Sequence, residues 1–270
     1  MVKIAVTGKG GVGKTTVAAG LARTFGARGL SVVALDMDPS PNLASSLSCG
    51  KEDIAGIVPL AEMEDLILER TGAPPEGGGM VFRINPKVDD IPGRFGIACR
   101  DGVRLLVLGT IRTGGAGCFC PANALARQLV DHLARTSDLL VMDMEAGVEH
   151  LGRGTTRTAE ALLVVTEPTV KSVEAAAQIA RLARDLGITN LFGVVNKVRG
   201  GKGEPFLSRL AALGITPLGI IPFDPAVQEA EEKGEPVYDL PAGAHLRKRL
   251  GEIASELEER MGPFGGPPAP

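Results

Sequence analysis

The chain has 270 residues, 44% of them hydrophobic and 23% charged, enough to bury a sizeable core and too apolar for a disordered or low-complexity sequence. Its 29 lysines and arginines stand against 32 aspartates and glutamates, a net charge of −3. That balance supplies no general pull toward nucleic acid or an anionic membrane, and neither is expected as a partner.

No apolar run reaches membrane-spanning length, and the opening residues MVKIAVTGKGG lack the parts of a secretion signal. The expectation is one cytoplasmic domain over residues 1–261, followed by a disordered Pro/Gly tail over 262–270 (GPFGGPPAP).

In chain order, residues 3–6 form a short apolar strand that runs into a glycine loop. Lys14 to Ala27 then carries Val17, Leu21 and Phe25 at four-residue spacing, one apolar face of a helix. Further apolar runs follow at 32–35, 105–108, 139–142, 162–165 and 191–195. None alternates polar with apolar, the pattern of strands buried on both faces of a parallel sheet. Between them, Leu125, Leu129 and Leu133 mark one helix and Ile179, Leu182 and Leu186 another, and Leu246, Leu250, Ile253 and Leu257 mark the last. Residues 71–96 lack periodicity and read as a spacer. Strand and helix alternate, so the expected fold is α/β: a doubly wound, mainly parallel sheet with helices on both faces, binding ligands at the carboxyl ends of its strands.

The motifs fall at those ends. Gly8-Lys9-Gly10-Gly11-Val12-Gly13-Lys14-Thr15 fits the G-x-x-x-x-G-K-[ST] phosphate loop and sits between a strand and a helix, as that motif requires. Its glycines let backbone N–H groups converge on phosphate, Lys14 neutralises charge, and Thr15, followed by Thr16, offers a hydroxyl to Mg²⁺. A second apolar run ends at Asp36-Met37-Asp38-Pro39, and another at Asp143, the carboxylate expected to hold Mg²⁺ near a γ-phosphate. Asp36 either orders Lys14 or magnesium-bound water, or caps its strand. At the end of a later strand, Asn196 carries an amide that both donates and accepts, beside Lys197.

With Lys9 as a second lysine, KGGVGKT resembles the deviant phosphate loops of the dimeric ATPases that include septum-site, plasmid-partition, nitrogenase-reductase and tail-anchored-protein-targeting enzymes. The resemblance implies an ATP-hydrolysing homodimer in which Lys9 reaches the partner's nucleotide, as an arginine finger does in trans. It also implies that Asp38 orients the attacking water, that Gly147 senses γ-phosphate, that Asn196 reads adenine, and that the Ile221-Pro222-Phe223-Asp224 turn packs on the base through Pro222.

Of four cysteines, only Cys118 and Cys120 are close. In extended backbone their sulfurs point the same way, but two thiolates do not close a tetrahedral zinc site, a four-iron cluster or an all-sulfur nickel site. A homodimer supplies the missing two. Cys49 and Cys99 are read as solitary apolar fillers.

Taken together, GKGGVGKTTVAAGL, DMDPSPNL, INPKVDD, GGAGCFCPAN, VMDMEAGVEHLGRGT and VVNKVR resemble the CooC-type carbon monoxide dehydrogenase maturation ATPases over nearly the whole chain. That resemblance implies ATP-dependent delivery of nickel, with zinc as the other candidate ion, to an apo carbon monoxide dehydrogenase or a related nickel enzyme. Cys118 and Cys120 would hold the ion in a dimer that forms with nucleotide or metal. Two other readings stay open: an accessory ATPase for acetyl-CoA synthase, and an iron–sulfur redox ATPase like nitrogenase reductase. Glu145, Glu149 and His150 follow the Asp143 strand without an assigned role.

Overall fold

The structure is a computed structural model and describes residues 2–38, 42–75, 81–110, 120–145 and 159–265. In chain order its elements are β1 (Val2–Gly8), α1 (Lys14–Ala27), β2 (Val32–Asp36), α2 (Leu43–Ser46), α3 (Lys51–Ala55), α4 (Glu64–Thr71) and α5 (Ile91–Phe95). There follow β3 (Ile97–Ala98), β4 (Arg104–Val107), α6 (Pro121–Thr136), β5 (Leu139–Asp143), β6 (Ala161–Thr166), α7 (Val170–Asp185) and β7 (Asn190–Val198). The chain closes with α8 (Glu204–Ala212), β8 (Thr216–Pro222), α9 (Pro225–Glu232) and α10 (Ala244–Met261).

Among the described residues the strands form one sheet in the order β3-β4-β2-β5-β1-β6-β7-β8. Every pairing is parallel except the short β3 against β4. The continuous apolar runs occupy the middle of this sheet and are buried on both sides, as a covered parallel sheet demands. On one side Val17, Leu21 and Phe25 of α1 pack with Leu250, Ile253 and Leu257 of α10. On the other, Leu125, Leu129 and Leu133 of α6 pack with Ile179 of α7. The strand order reverses direction at β1, so the loop after β1 opens into the crevice where such sheets bind ligands. No helix among the described residues is long and apolar enough to cross a membrane.

Three expectations need correction. The spacer at 71–96 is in large part built: Ile91 opens α5, Val88 and Ile91 are buried, and Arg70 grips Asp90 with two bonds of 2.9 and 2.7 Å. An isolated helical turn with a fork-to-carboxylate anchor leaves no long periodicity to read. The tail is packed at its start, because Phe264 is buried against Phe25 with ring centroids 5.1 Å apart, and the aromatic area outweighs the surrounding Gly and Pro. Residues 266–270 lie outside the described part. Cys49 and Cys99, read as solitary, are joined in a disulfide across a sequence separation of 50. Folding places the turn after α2 beside the end of β3, a proximity no spacing rule reveals.

Candidate nucleotide site

The loop after β1 takes a conformation only glycine supports. Gly8 has φ 151°, and a Cβ there would strike the Val165 carbonyl oxygen of the neighbouring strand. Gly13, at φ 89°, is the residue before α1, and a Cβ there would sit 2.5 Å from Asn196 Nδ2. The phosphate loop is therefore wedged between β6 and β7, with the N–H groups of the first turn of α1 facing the crevice.

Strand register brings the carboxylates together. Asp36 of β2 and Asp143 of β5 are paired neighbours, and Val6 of β1 pairs with Asp143 on the other side. Both aspartates are fully buried or nearly so. Burial pushes Asp143 up to about 7, against the stabilising hydrogen bond from Thr15 and the attraction of Lys14. Burial likewise raises Asp36 to about 6, although its oxygens accept the backbone N–H of Asp38 at 3.0 Å and of Leu43 at 3.1 Å. Asp36 thus anchors the backbone of both Asp38 and Leu43, a wider form of the strand-capping role left open for it. Desolvation lowers Lys14, while Asp143, Asp38 and Glu145 act to keep it charged. The carboxylates thus offset part of the desolvation that works against the charge of Lys14, and a divalent cation beside them would be needed to balance the added charge of a phosphate.

The donor set suits a magnesium ion. Asp143 Oδ1 is buried without a hydrogen-bond partner, while the Thr15 hydroxyl bonds to the same carboxylate. Hard oxygens left short of a partner are what a small divalent cation satisfies.

A cleft of about 340 Å³ runs from Gly13, Lys14 and Thr15 past Asn42, Ser45 and Tyr238. A second cleft of about 180 Å³ is lined by Asn196, Pro222, Phe223, Asp224, Val227 and Gln228. Thr16, Lys197, Glu231 and Leu246 line both, and the Thr16 hydroxyl donates to Glu231 between them. The two adjoining clefts are of the size of small-molecule sites.

Asn196 and Lys197 meet the phosphate loop directly. Asn196 Nδ2 donates to the Val12 carbonyl at 2.8 Å, and Lys197 Nζ donates to the Gly11 carbonyl at 2.6 Å while lying 3.4 Å from Glu167. Lys197 has φ 57°, an unusual backbone for a lysine, held by those contacts. Asn196, expected to read a base, here fastens the loop, and it still lines the second cleft. Pro222 ends β8 and Asp224 caps α9 through a bond from the Ala226 N–H.

The remaining predicted residues divide. Asp38 is half-buried beside Asp36, and Lys9 is exposed at the mouth of the loop. Cys120 is buried and caps α6, but Cys118 lies outside the described residues, as do Pro39, Gly147, Glu149 and His150. No cluster of metal-binding side chains occurs among the described residues. Three contributors went unread: Glu167, Glu231, and Thr110, whose hydroxyl bonds Glu145 at 2.9 Å and the Met37 carbonyl at 3.4 Å. Glu231 had a legible signal, lying one helical span after the Asp224-Pro225 start.

The family model for the CobQ/CobB/MinD/ParA nucleotide binding domain matches residues 3–237. The carbon monoxide dehydrogenase accessory protein CooC of Rhodospirillum rubrum is 43% identical over 268 residues, 98% of this chain and 99% of that protein. An uncharacterized ATP-binding protein of Methanocaldococcus jannaschii is 45% identical over 254 residues, 93% of this chain and 97% of its own. Among solved structures, the septum site-determining protein MinD of Pyrococcus horikoshii, complexed with Mg-ADP, superimposes with a TM-score of 0.69 at 19% identity, covering 97% of each chain.

Proposed function

The chain belongs to the CobQ/CobB/MinD/ParA nucleotide-binding family and is an ATPase of that family, and from that premise we propose that it delivers nickel to an apo carbon monoxide dehydrogenase, carrying the ion between two subunits and hydrolysing ATP to drive the delivery. The phosphate-loop N–H groups and Lys14 hold the β- and γ-phosphates, and Asp38 orients the water that attacks γ-phosphorus. Lys14 is already held at the loop, and the carboxylates around it help keep its charge despite burial. Thr15 and Asp143 would hold magnesium, which supplies neutralisation of charge shared between the phosphates. Lys9, exposed at the loop mouth, extends toward the nucleotide of a facing subunit. The base lies in the cleft of Asn196 and Pro222.

Cys118 and Cys120 of each subunit give four thiolates, a complete set for nickel or for zinc, the competing ion. The observation that carries this reading is the C-x-C pair in a chain that matches the CooC accessory protein along 98% of its length. The reading places the work in the cytoplasm, with no membrane or nucleic-acid partner.

Nickel and zinc titrations of the pure protein, with and without ATP, test it when particle mass and thiolate-to-metal absorption are followed together. One ion per pair of subunits is expected. The C118A/C120A variant should lose the absorption band and keep its ATP hydrolysis to within about an order of magnitude. A lone subunit holding its ion through both sulfurs would refute the shared site, and a reducible iron–sulfur cluster at full occupancy would refute the cargo.

A further inference from the structure

The disulfide between Cys49 and Cys99 is linked to the nucleotide cleft through residues next to it in the chain. Cys49 lies three residues after α2, and Asn42 before that helix and Ser45 and Ser46 within it line the phosphate-side cleft. Its neighbour Ser48, at φ 56°, donates to Asp239 and accepts from Arg23 Nη1 at 3.2 Å. Cys99 is followed by Arg100 and Asp101. Arg100 reaches Asp239 at 3.3 Å, and Asp101 accepts from Arg23 Nε at 2.8 Å. Arg23 itself is 3% exposed, donates to Asp239 at 2.7 Å and lies 4.5 Å over the Tyr238 ring, and Tyr238 lines the same cleft. The covalent link therefore joins the segment after α2 to the sheet edge, and the Arg23 guanidinium binds both flanks to the Tyr238 turn through Ser48, Asp101 and Asp239.

We propose that Cys49 and Cys99 form a thiol–disulfide exchange site whose oxidation state sets how tightly the adjacent cleft holds nucleotide. It goes beyond the nickel reading and rests only on the ATPase site. In a reducing compartment a disulfide persists chiefly where it is transient or regulatory, and a bridged pair linked to an ATP cleft is placed for that use. Cys99 is half-buried and Cys49 only 8% exposed, so Cys99 is the more open of the two to a small thiol. The incoming thiolate attacks that sulfur, the S–S bond breaks, and the Cys49 thiolate leaves and takes a proton. A second small thiol then attacks the mixed disulfide, freeing the Cys99 thiol and a small-molecule disulfide, so two electrons pass from two thiols to the protein. Oxidised, the α2 segment is held in its binding position. Reduced, it must be ordered by the nucleotide, and affinity falls.

The wild-type protein is equilibrated in glutathione buffers from oxidised to reduced. The state of each cysteine is read by iodoacetamide labelling and peptide mass, and ATP affinity by calorimetry. Cys49 and Cys99 should be found linked under oxidising buffers, and ATP affinity should fall about three- to tenfold in step with their reduction, the scale of ordering one or two side chains. The C49S/C99S variant should sit at the reduced value and ignore the buffer, whereas C118S/C120S should still respond. The proposal is overturned if both cysteines label fully in every buffer, if wild-type affinity is the same in both states, or if C118S/C120S abolishes the response. The wild-type titration decides even if C49S/C99S fails to fold, and metal stoichiometry plays no part in it.

Discussion

Replacing Asp143 by Asn should stabilise the protein without nucleotide while abolishing its hydrolysis. Burial raises Asp143 from 3.8 to about 7, so at neutral pH and above its ionisation opposes folding. A gap of some three units corresponds to about 4 kcal/mol. The attraction of Lys14 is already contained in that raised value, so about 4 kcal/mol is the variant's expected advantage once the native carboxylate is ionised. The sign follows from proton counting. Between the unfolded value near 3.8 and the folded value near 7, the native state holds a proton that the unfolded chain has lost, so stability falls as pH rises through that window. Asp36, raised to about 6 by the same burial, adds to the fall. Urea unfolding in chelator at about pH 5 and about pH 8 measures both effects: D143N should exceed wild type by about 2 kcal/mol at the lower pH, where only the unfolded carboxylate is ionised, and by about 4 kcal/mol at the higher. A wild-type stability that is flat across this range, or a D143N no more stable than wild type at the higher pH, would show that the buried carboxylate is already compensated and that its unpartnered oxygen has no bearing on the site.

Two further outcomes follow from other parts of the molecule. Asp38→Ala keeps every contact that Lys14 and the loop amides make to phosphate but loses the group that places the water. Single-turnover hydrolysis should therefore slow by about a hundredfold or more while ATP affinity stays near wild type, and an undiminished rate removes Asp38 from the mechanism. Phe264→Ala, beyond the last helix, should cost about 3 kcal/mol in urea unfolding because Phe264 is 6% exposed and packed, ring tilted, against Phe25. A change below about 0.5 kcal/mol would mean that the segment after α10 contributes nothing to the core.

Legibility in the sequence tracked how local the cause was. The phosphate loop, α1 and the central strands were readable because adjacent residues decide them: glycines at fixed offsets, β-branched runs, and a four-residue apolar period. The β8 strand was not, because TPLGIIP carries two prolines and a glycine that argue against a strand. It is tolerated as an edge strand, joined to β7 with register shifts. Helices α8 and α9, of 9 and 8 residues, were too short to show a stripe, though each starts with proline in its first turn. The Cys49–Cys99 link and the Phe25–Phe264 contact join residues far apart in the chain, and no window contains both partners. Asp36 was visible as a carboxylate, but its role depends on the backbone turn it holds.

The distribution of buried polarity points to the same place without any motif. Among the described residues the buried polar side chains are Thr7, Lys14, Arg23, Thr24, Asp36, Thr71, Ser137, Asp143, Thr166, Ser172 and Asn196. Thr24, Thr71 and Ser137 return their hydroxyls to helical carbonyls, Ser172 serves the Glu167 N–H, and Arg23 is held by Asp101, Asp239 and Ser48. Those away from the crevice are satisfied. The other group comprises Lys14 and one residue near the carboxyl end of each of β1, β2, β5, β6 and β7. There the satisfaction breaks down: Thr7 Oγ1 and Asp143 Oδ1 have no partner, and two carboxylates are raised by burial. Apart from Arg70 Nε, which lies 3.3 Å from Glu69, the unpartnered buried side-chain atoms among the described residues fall along this one edge of the sheet, and the fold is less stable there than it could be. Such a local loss persists when a ligand restores it, and phosphate with a divalent cation is the ligand whose charges complement Lys14, Thr15 and Asp143.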